Sequence, residues 1–243
     1  MNNSGKKEKR YRLFIFIAVL LFVAGLLVML FPIFTNWLYG QEVKQQRQSF
    51  EQQIEEVEKV SASDASVMPF DELYQELKRR NQELFLTRQR DLKDPFSYEQ
   101  PTIDLSKYGL DGNIIGFISI PKMGVELPIM LGANTENMRE GAAHLTETSY
   151  PIGGENTNCV LAAHRGSSRA AMFRDIEKLE IGDEIYIRNF RETLTYRVAE
   201  LQVISPTDVQ ELLIQPERDL VTLITCHPYP YNYQRYVVYC ERV

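Results

Sequence analysis

Cys226 is the residue on which chemistry in this chain would turn. It closes the run Thr222-Leu223-Ile224-Thr225-Cys226, and Arg235 follows nine residues later. The apolar and β-branched residues of 220–225 predict a short buried strand. The segment His227-Pro228-Tyr229-Pro230-Tyr231-Asn232 cannot extend it, because each proline lacks a donor and fixes φ. A second strand is predicted from Gln234 through Tyr239. The pattern sets a thiol at a strand end, facing a loop, with a guanidinium at the start of the next strand. A thiol attacks only as thiolate, so it needs a group that takes or balances its proton. With ordinary pKa values, a thiolate–imidazolium pair lies about 2.7 kcal/mol above the neutral pair, a ratio on the order of 1:100. A nearby guanidinium improves that ratio and can donate to the oxyanion built when an amide is attacked. By composition alone, Arg235 is also readable as a solvated arginine on an edge strand.

Three histidines are available as partners. His164 ends a predicted strand just before Arg165-Gly166, a position from which an imidazole can face a cleft. His144 is flanked by Ala142, Ala143 and Leu145 and reads as a core or rim histidine. His227 adjoins the thiol, but neighbouring side chains on an extended chain point to opposite faces, so adjacency argues against partnership. Of the cysteines, Cys159 and Cys240 read as small core hydrophobes on strands, and three cysteines in 243 residues do not make a disulfide scaffold. No paired Cys or His stands at metal-ligand spacing and no glycine-rich phosphate loop occurs, so neither metal nor cofactor is expected.

Several elements must position these groups. Residues 1–12 form a basic segment carrying Lys6, Lys7, Lys9, Arg10 and Arg12 against one acid, a charge of +4 within a chain total of −6, which leaves −10 for the rest. An acidic remainder argues against nucleic acid as a partner. Residues 13–34 are uncharged and almost wholly apolar; as a helix they span roughly 33 Å, enough to cross a bilayer. Basic residues ahead of the span predict a single-pass signal anchor with a cytoplasmic N-terminus and everything after it outside. Trp37 and Tyr39 stand where an interfacial aromatic belt would be. Residues 35–92 predict an extracellular helical stalk, with Val43, Phe50, Ile54 and Val57 at helical intervals, and then a packing helix whose stripe is Phe70, Leu73, Leu77 and Leu84 and which ends near Leu92. Residues 93–111 lead into a domain over 112–243. There the pattern changes to short β-rich runs at 114–120, 125–130, 158–163, 184–188, 193–204, 220–225 and 234–242, with brief helices at 135–139 and 170–179. Many short strands with few helices imply a mainly β domain, a barrel or a sandwich.

At this point a family resemblance is plain. Thr222-Leu223-Ile224-Thr225-Cys226 resembles the active-site signature of the sortases, cysteine transpeptidases of Gram-positive cell surfaces. Leu161-Ala162-Ala163-His164-Arg165-Gly166 resembles their histidine segment, and Arg235 falls at their arginine. Gly141 to Leu145, Pro151-Ile152-Gly153-Gly154, Cys226-x-Pro228-Tyr229-x-x-Asn232-x-x-Arg235 and above all Asp94-Pro95-Phe96 resemble the class C, pilin-polymerising branch. The similarity runs over 94–243, with the motifs in the family's order.

The resemblance implies a closed eight-stranded β-barrel and a catalytic set of Cys226, His164 and Arg235, with Thr225 adjacent to substrate. It also implies a lid in which Phe96 covers the cysteine and Asp94 pairs with the arginine. The implied substrates are pilin or surface proteins carrying a C-terminal Leu-Pro-x-Thr-Gly-like sorting signal, cleaved between Thr and Gly and joined to a lysine amine of another pilin subunit. The chain stops at Val243, just after the last predicted strand, where many class C relatives continue into a second membrane span, so tethering is expected through the N-terminal helix alone. Two other readings stand beside this one: a sortase attaching proteins to a peptidoglycan amine, and a non-enzymatic, membrane-anchored assembly module with an inert Cys226.

Overall fold

The alternating apolar runs after Gly112 pair edge to edge into one closed sheet. The computed structural model describes residues 4–61, 69–90, 92, 103–167 and 169–243. Its strands are β1 (Ile114–Ile120), β2 (Val125–Leu131), β3 (Ala142–His144), β4 (Thr157–Ala162), β5 (Glu184–Asn189), β6 (Thr193–Ile204), β7 (Asp219–His227) and β8 (Gln234–Arg242). They close a barrel in the order β1-β2-β3-β4-β7-β8-β6-β5, which leaves no unpaired edge. Neighbours are antiparallel except at β2–β3 and β4–β7, where the strands run parallel.

Seven strands coincide with runs read from the sequence. The eighth, β3, is three residues long, too short to display a period of two. A short helix, α3 (Thr135–Glu140), joins β2 to β3 and is capped by Asn134, whose side chain accepts from the Asn137 amide. The helix expected over 170–179 does not form. Met172 sits in the left-handed region at φ 47°, and only a 3-10 turn at Ile176–Lys178 follows.

Alternation along the strands separates two apolar clusters. Leu161, Val221, Leu223, Val238 and Cys240 join the main core with Phe117, Ile187 and Tyr196. Val160, Ala162, Ile224, Val237 and Tyr239, on the opposite face of the same strands, form a smaller cluster with Met138, Ala143, Leu145, Ile204 and Leu212. That second face carries the candidate site.

The N-terminal half departs from expectation in one respect. The span and the stalk are a single helix, α1 (Ser4–Ser61), continuous through Pro32. Residues 13–34 are exposed throughout, and this helix is long and apolar enough to cross a membrane. Beyond them α1 does not project freely as a stalk: it lies along the barrel. Tyr39, Val43, Phe50 and Ile54, one helical face, are buried in the main core, with Phe50 packed edge-on against Phe117 at 5.6 Å. Each such side chain contributes about 1.5–3 kcal/mol of burial. Arg188 grips Glu51 with two bonds of 3.0 and 2.8 Å, and Gln53 accepts from the Asp111 amide at 2.8 Å. Tyr39, expected in an interfacial belt beside Trp37, is 6% exposed and belongs to this docking face, whereas Trp37 is exposed.

The packing helix α2 (Asp71–Thr87) buries Leu73 and Leu77 as its stripe requires. It stops at Thr87 rather than near Leu92, because Arg88 (φ 55°) and Gln89 (φ 45°) turn left-handed and donate back to Phe85 and Leu84. Asn81 continues the buried face with a polar group. It accepts from the Tyr150 amide at 2.8 Å and donates to the Tyr150 carbonyl at 3.4 Å, both inside the protein. Asn81→Ala is expected to cost about 1–3 kcal/mol by stranding those groups, read as a lower urea midpoint at unchanged slope.

Candidate active site

The register of three adjacent strands assembles the site. On the antiparallel β7–β8 ladder, Cys226 stands directly opposite Arg235. Opposed residues share a face, with Cα atoms about 5 Å apart. On the parallel β4–β7 ladder, Ala162 pairs with Ile224, and the Ala163 amide continues the ladder by donating to the Ile224 carbonyl at 3.2 Å. Carried two residues past the end of β4, the same register would bring His164 level with Cys226. All three candidate residues stand two positions from members of the smaller cluster: His164 after Ala162, Cys226 after Ile224, and Arg235 before Val237. β7 continues two residues past the predicted end at 225, through His227, because its partner Gln234 completes the ladder before Pro228 interrupts it.

Each member is held through its backbone or its neighbours. The Ala163 carbonyl accepts the Thr225 hydroxyl at 2.7 Å, and the His164 carbonyl accepts from the Phe173 amide at 3.1 Å. Gly166 then turns the chain at φ +97°, where a Cβ would meet Arg174 Nε at 2.7 Å and the Ala171 carbonyl at 3.2 Å. Arg235 is 7% exposed, and its guanidinium donates to the Asn232 and Gln234 carbonyls at 3.3 and 3.1 Å. His164 lines a cleft of about 620 Å³ with Thr135, Glu136 and Arg139 of α3 and with Arg169. Burial, and then the positive charge of Arg139, lower the His164 pKa and favour the neutral imidazole, the form able to accept a proton.

The opposite face of β7 carries a brace. Thr225, expected beside substrate, is fully buried there with its hydroxyl on the Ala163 backbone. Its contribution is to pin β7 to β4 one residue before His164. His227 also points away from the thiol's face, as alternation requires. Its Nδ1 lies 3.0 Å from a Glu177 carboxylate oxygen and 3.2 Å from Arg165, and its ring packs on Tyr236. Arg165, whose side chain is only 9% exposed, pairs with Glu177 at 2.7 Å and donates to the Cys226 carbonyl at 3.3 Å. Sequence reading passed over this arginine's role and over Glu177. The signal was present, since Arg165 alternates with His164 and must face the other way.

From Pro228 the chain leaves the sheet and presents Tyr229, Tyr231 and Tyr233 to solvent before returning at Gln234. Asp94 and Phe96 lie outside the described residues. Leu92, which is described, packs against the cluster that underlies Cys226. No group of three or more metal-binding side chains occurs among the described residues.

The remaining candidates separate cleanly. His144 is 1% exposed, with Nε2 3.0 Å from the Ser149 carbonyl and its ring stacked on Tyr150. Burial lowers its pKa to about 4. Cys159 and Cys240 are buried in the main core, which pushes both thiols up and keeps them protonated, while Cys226 is partly exposed.

Comparison with known proteins gives a concordant result. Residues 118–243 match the family model for the sortase domain. Sortase D of Bacillus subtilis is 30% identical over 54% of this chain, and the chain spans 65% of that relative's length. Sortase A of Bacillus anthracis is 31% identical over 70% of this chain and 83% of its own. Among solved structures, Streptococcus agalactiae sortase C1 superposes with a TM-score of 0.72 at 31% identity, covering 81% of this chain and 96% of that one. A pilus-related sortase C of Group B Streptococcus gives 0.59 at 34% identity, covering 70% and 90%.

Two outcomes are expected from this geometry. A thiol reagent added to the native protein should modify Cys226 and spare Cys159 and Cys240; peptide mapping by mass spectrometry reads the result. Stability should fall as pH drops from about 6.5 toward 4, because the unfolded chain protonates His144 before the folded one does. The loss attributable to this residue is roughly 3 kcal/mol, and thermal melts of His144→Gln should lack that part of the pH dependence.

Proposed function

The chain belongs to the sortase family, and from that premise we propose that it is a membrane-anchored cysteine transpeptidase of the pilin-polymerising, class C kind. The observation that supports the reading is the register that sets Cys226 opposite Arg235 on β7 and β8, with His164 two residues past the last β4–β7 pair. The likeness to a pilus-related sortase C, and the Asp94-Pro95-Phe96 sequence, favour the class C branch. The exposed apolar run of α1 is the anchor, with the catalytic domain outside the cell.

In this reading the Cys226 thiol gives its proton to His164 and attacks the threonine carbonyl of a Leu-Pro-x-Thr-Gly-like sorting signal. Arg235 donates to the oxyanion or holds the substrate backbone. The Thr–Gly C–N bond then breaks as His164 returns the proton to the leaving glycine amine, and a thioester to Cys226 remains. A lysine amine of a second pilin subunit attacks the thioester, His164 takes its proton, and the thiolate departs as an isopeptide bond forms. The chemistry is ping-pong and uses no cofactor. Substrates anchored in the same membrane meet the cleft at high effective concentration.

Incubation with a Leu-Pro-x-Thr-Gly peptide should give a covalent adduct on Cys226, detected by intact mass. Cys226→Ala should form none. His164→Ala should lose about 10²–10⁴-fold in turnover, and Arg235→Lys about 10²–10³-fold, since an ammonium lacks the planar fork. His227→Ala should stay within about tenfold of the native rate, its ring being on the far face of β7. Turnover by Cys226→Ala would sink the assignment. Adding a pilin lysine peptide or a peptidoglycan stem amine to the adduct identifies the acceptor and separates the class C reading from cell-wall attachment.

A further inference from the structure

All three nitrogens of the Arg165 guanidinium have partners inside the protein. Nε donates to the Arg174 carbonyl at 3.3 Å, and Nη2 pairs with a Glu177 carboxylate oxygen at 2.7 Å. Nη1 donates to the Cys226 carbonyl at 3.3 Å and lies 3.2 Å from His227 Nδ1. One side chain thus ties together its own turn after β4, the stretch 174–177 and the end of β7. An arginine present only for solubility would keep its head in water, whereas this one is nearly buried.

What it does there follows from the ladder. Parallel strands exchange evenly spaced bonds. The Ala163 amide donates to the Ile224 carbonyl at 3.2 Å, so the same ladder carried two residues further would run from the Arg165 amide to the Cys226 carbonyl. The strand β4 ends at Ala162, three residues short of that position, and Gly166 turns the chain at φ +97°. Arg165 Nη1 serves the carbonyl from its side chain. The β4–β7 ladder is thereby extended past the end of β4, at the peptide unit of the residue that carries the thiol. A bond at this carbonyl restrains the Cys226 backbone and with it the direction of the Cα–Cβ bond. Attack on a carbonyl needs reacting atoms about 3–3.5 Å apart and aligned, and a misplacement of about 1 Å costs on the order of 10²-fold. Glu177 stands one step further out, where its carboxylate holds Nη2 and so orients the plane from which Nη1 points.

We propose that Arg165 is a positioning residue for the nucleophile: anchored on Glu177, it holds the Cys226 carbonyl and so aims the thiol, from the face of β7 opposite that thiol. The proposal rests on the sortase reading and adds to it a group outside Cys226, His164 and Arg235 on which turnover depends. Because Arg165 acts through Cys226 and not on the peptide, its loss lowers the rate of bond making and leaves peptide affinity alone.

The test is single-turnover acylation of Cys226 in the full chain, in phosphatidylcholine vesicles, by a Leu-Pro-x-Thr-Gly peptide at graded concentrations. Intact mass gives a maximal rate and a half-saturating concentration, and circular dichroism gives the folded fraction that normalises each rate. Arg165→Met keeps an apolar stem and loses the donors. It should lower the maximal rate about 10–100-fold and leave the half-saturating concentration within about twofold. Glu177→Gln should lower the maximal rate about 3–10-fold in the native chain and less than about twofold in the Arg165→Met chain, since the carboxylate acts through the guanidinium. Loss of packing alone would lower the melting temperatures without this coupling. If Arg165→Met does not fold, Glu177→Gln decides alone. Three results overturn the proposal: a maximal rate within about twofold of native in either single variant, a loss expressed wholly as a higher half-saturating concentration, or a full Glu177→Gln effect in the Arg165→Met chain. Absence of an adduct on the native chain overturns instead the sortase reading on which the proposal rests.

Discussion

The parallel pairing of β4 with β7 is the constraint on which the site depends. Sequence separates His164 from Cys226 by 62 positions, and the β4–β7 ladder, whose last pair is Ala162–Ile224, brings their segments together. A one-residue slip would send His164 or Cys226 to the opposite face. The register is accordingly pinned beyond its ladder bonds. At one end Asp219 accepts from the Tyr196 hydroxyl at 2.9 Å and the Gly154 amide at 2.8 Å, and burial raises its pKa. In the middle the Thr222 hydroxyl donates to Asn158 across the two strands. At the other end come Thr225 on Ala163 and Arg165 on the Cys226 carbonyl. Buried polar pairs of this kind tolerate no slip, because each displaced donor would lose its partner inside the protein.

The two faces of β7 divide the work. One presents the thiol on the side of the smaller apolar cluster. The other carries Thr225, His227 and the Arg165–Glu177 pair, which restrain the strand end without entering the cleft. Charge is distributed in the same sense. Arg235 is nearly buried with its guanidinium tied to two carbonyls, so its orientation is fixed by the protein itself.

Much of this was legible in the sequence, for identifiable reasons. Strands such as 114–120, 193–204 and 234–242 combine β-branched residues with turn signals, and the structure places their ends where the pattern did. His227 could be set aside because alternation is local. β3 was invisible since three residues carry no period, and the pieces over 170–179 looked helical until the left-handed Met172. The docking of α1 was half visible. The stripe Val43, Phe50, Ile54 was read, but what it buries against, the outer surface of β1 and β2, is a long-range fact that no window of sequence contains. Thr225 shows the same limit: the resemblance set it adjacent to substrate, and no window of sequence shows that its hydroxyl bonds the Ala163 carbonyl just past β4.

The loop between β7 and β8 leaves the sheet just after one candidate residue, Cys226, and returns just before another, Arg235. Its two ends are fixed by the pairs Cys226–Arg235 and His227–Gln234, and between them three tyrosines face solvent. Residues 228–233 lie outside the sheet, between Cys226 and Arg235 in sequence. Substitutions in this segment can therefore change the surface beside Cys226 and Arg235 without altering the ladder that holds the two residues opposite each other. Position and surroundings are thus set by different stretches of chain: the ladder fixes the two side chains, and the loop between them decides what lies beside them.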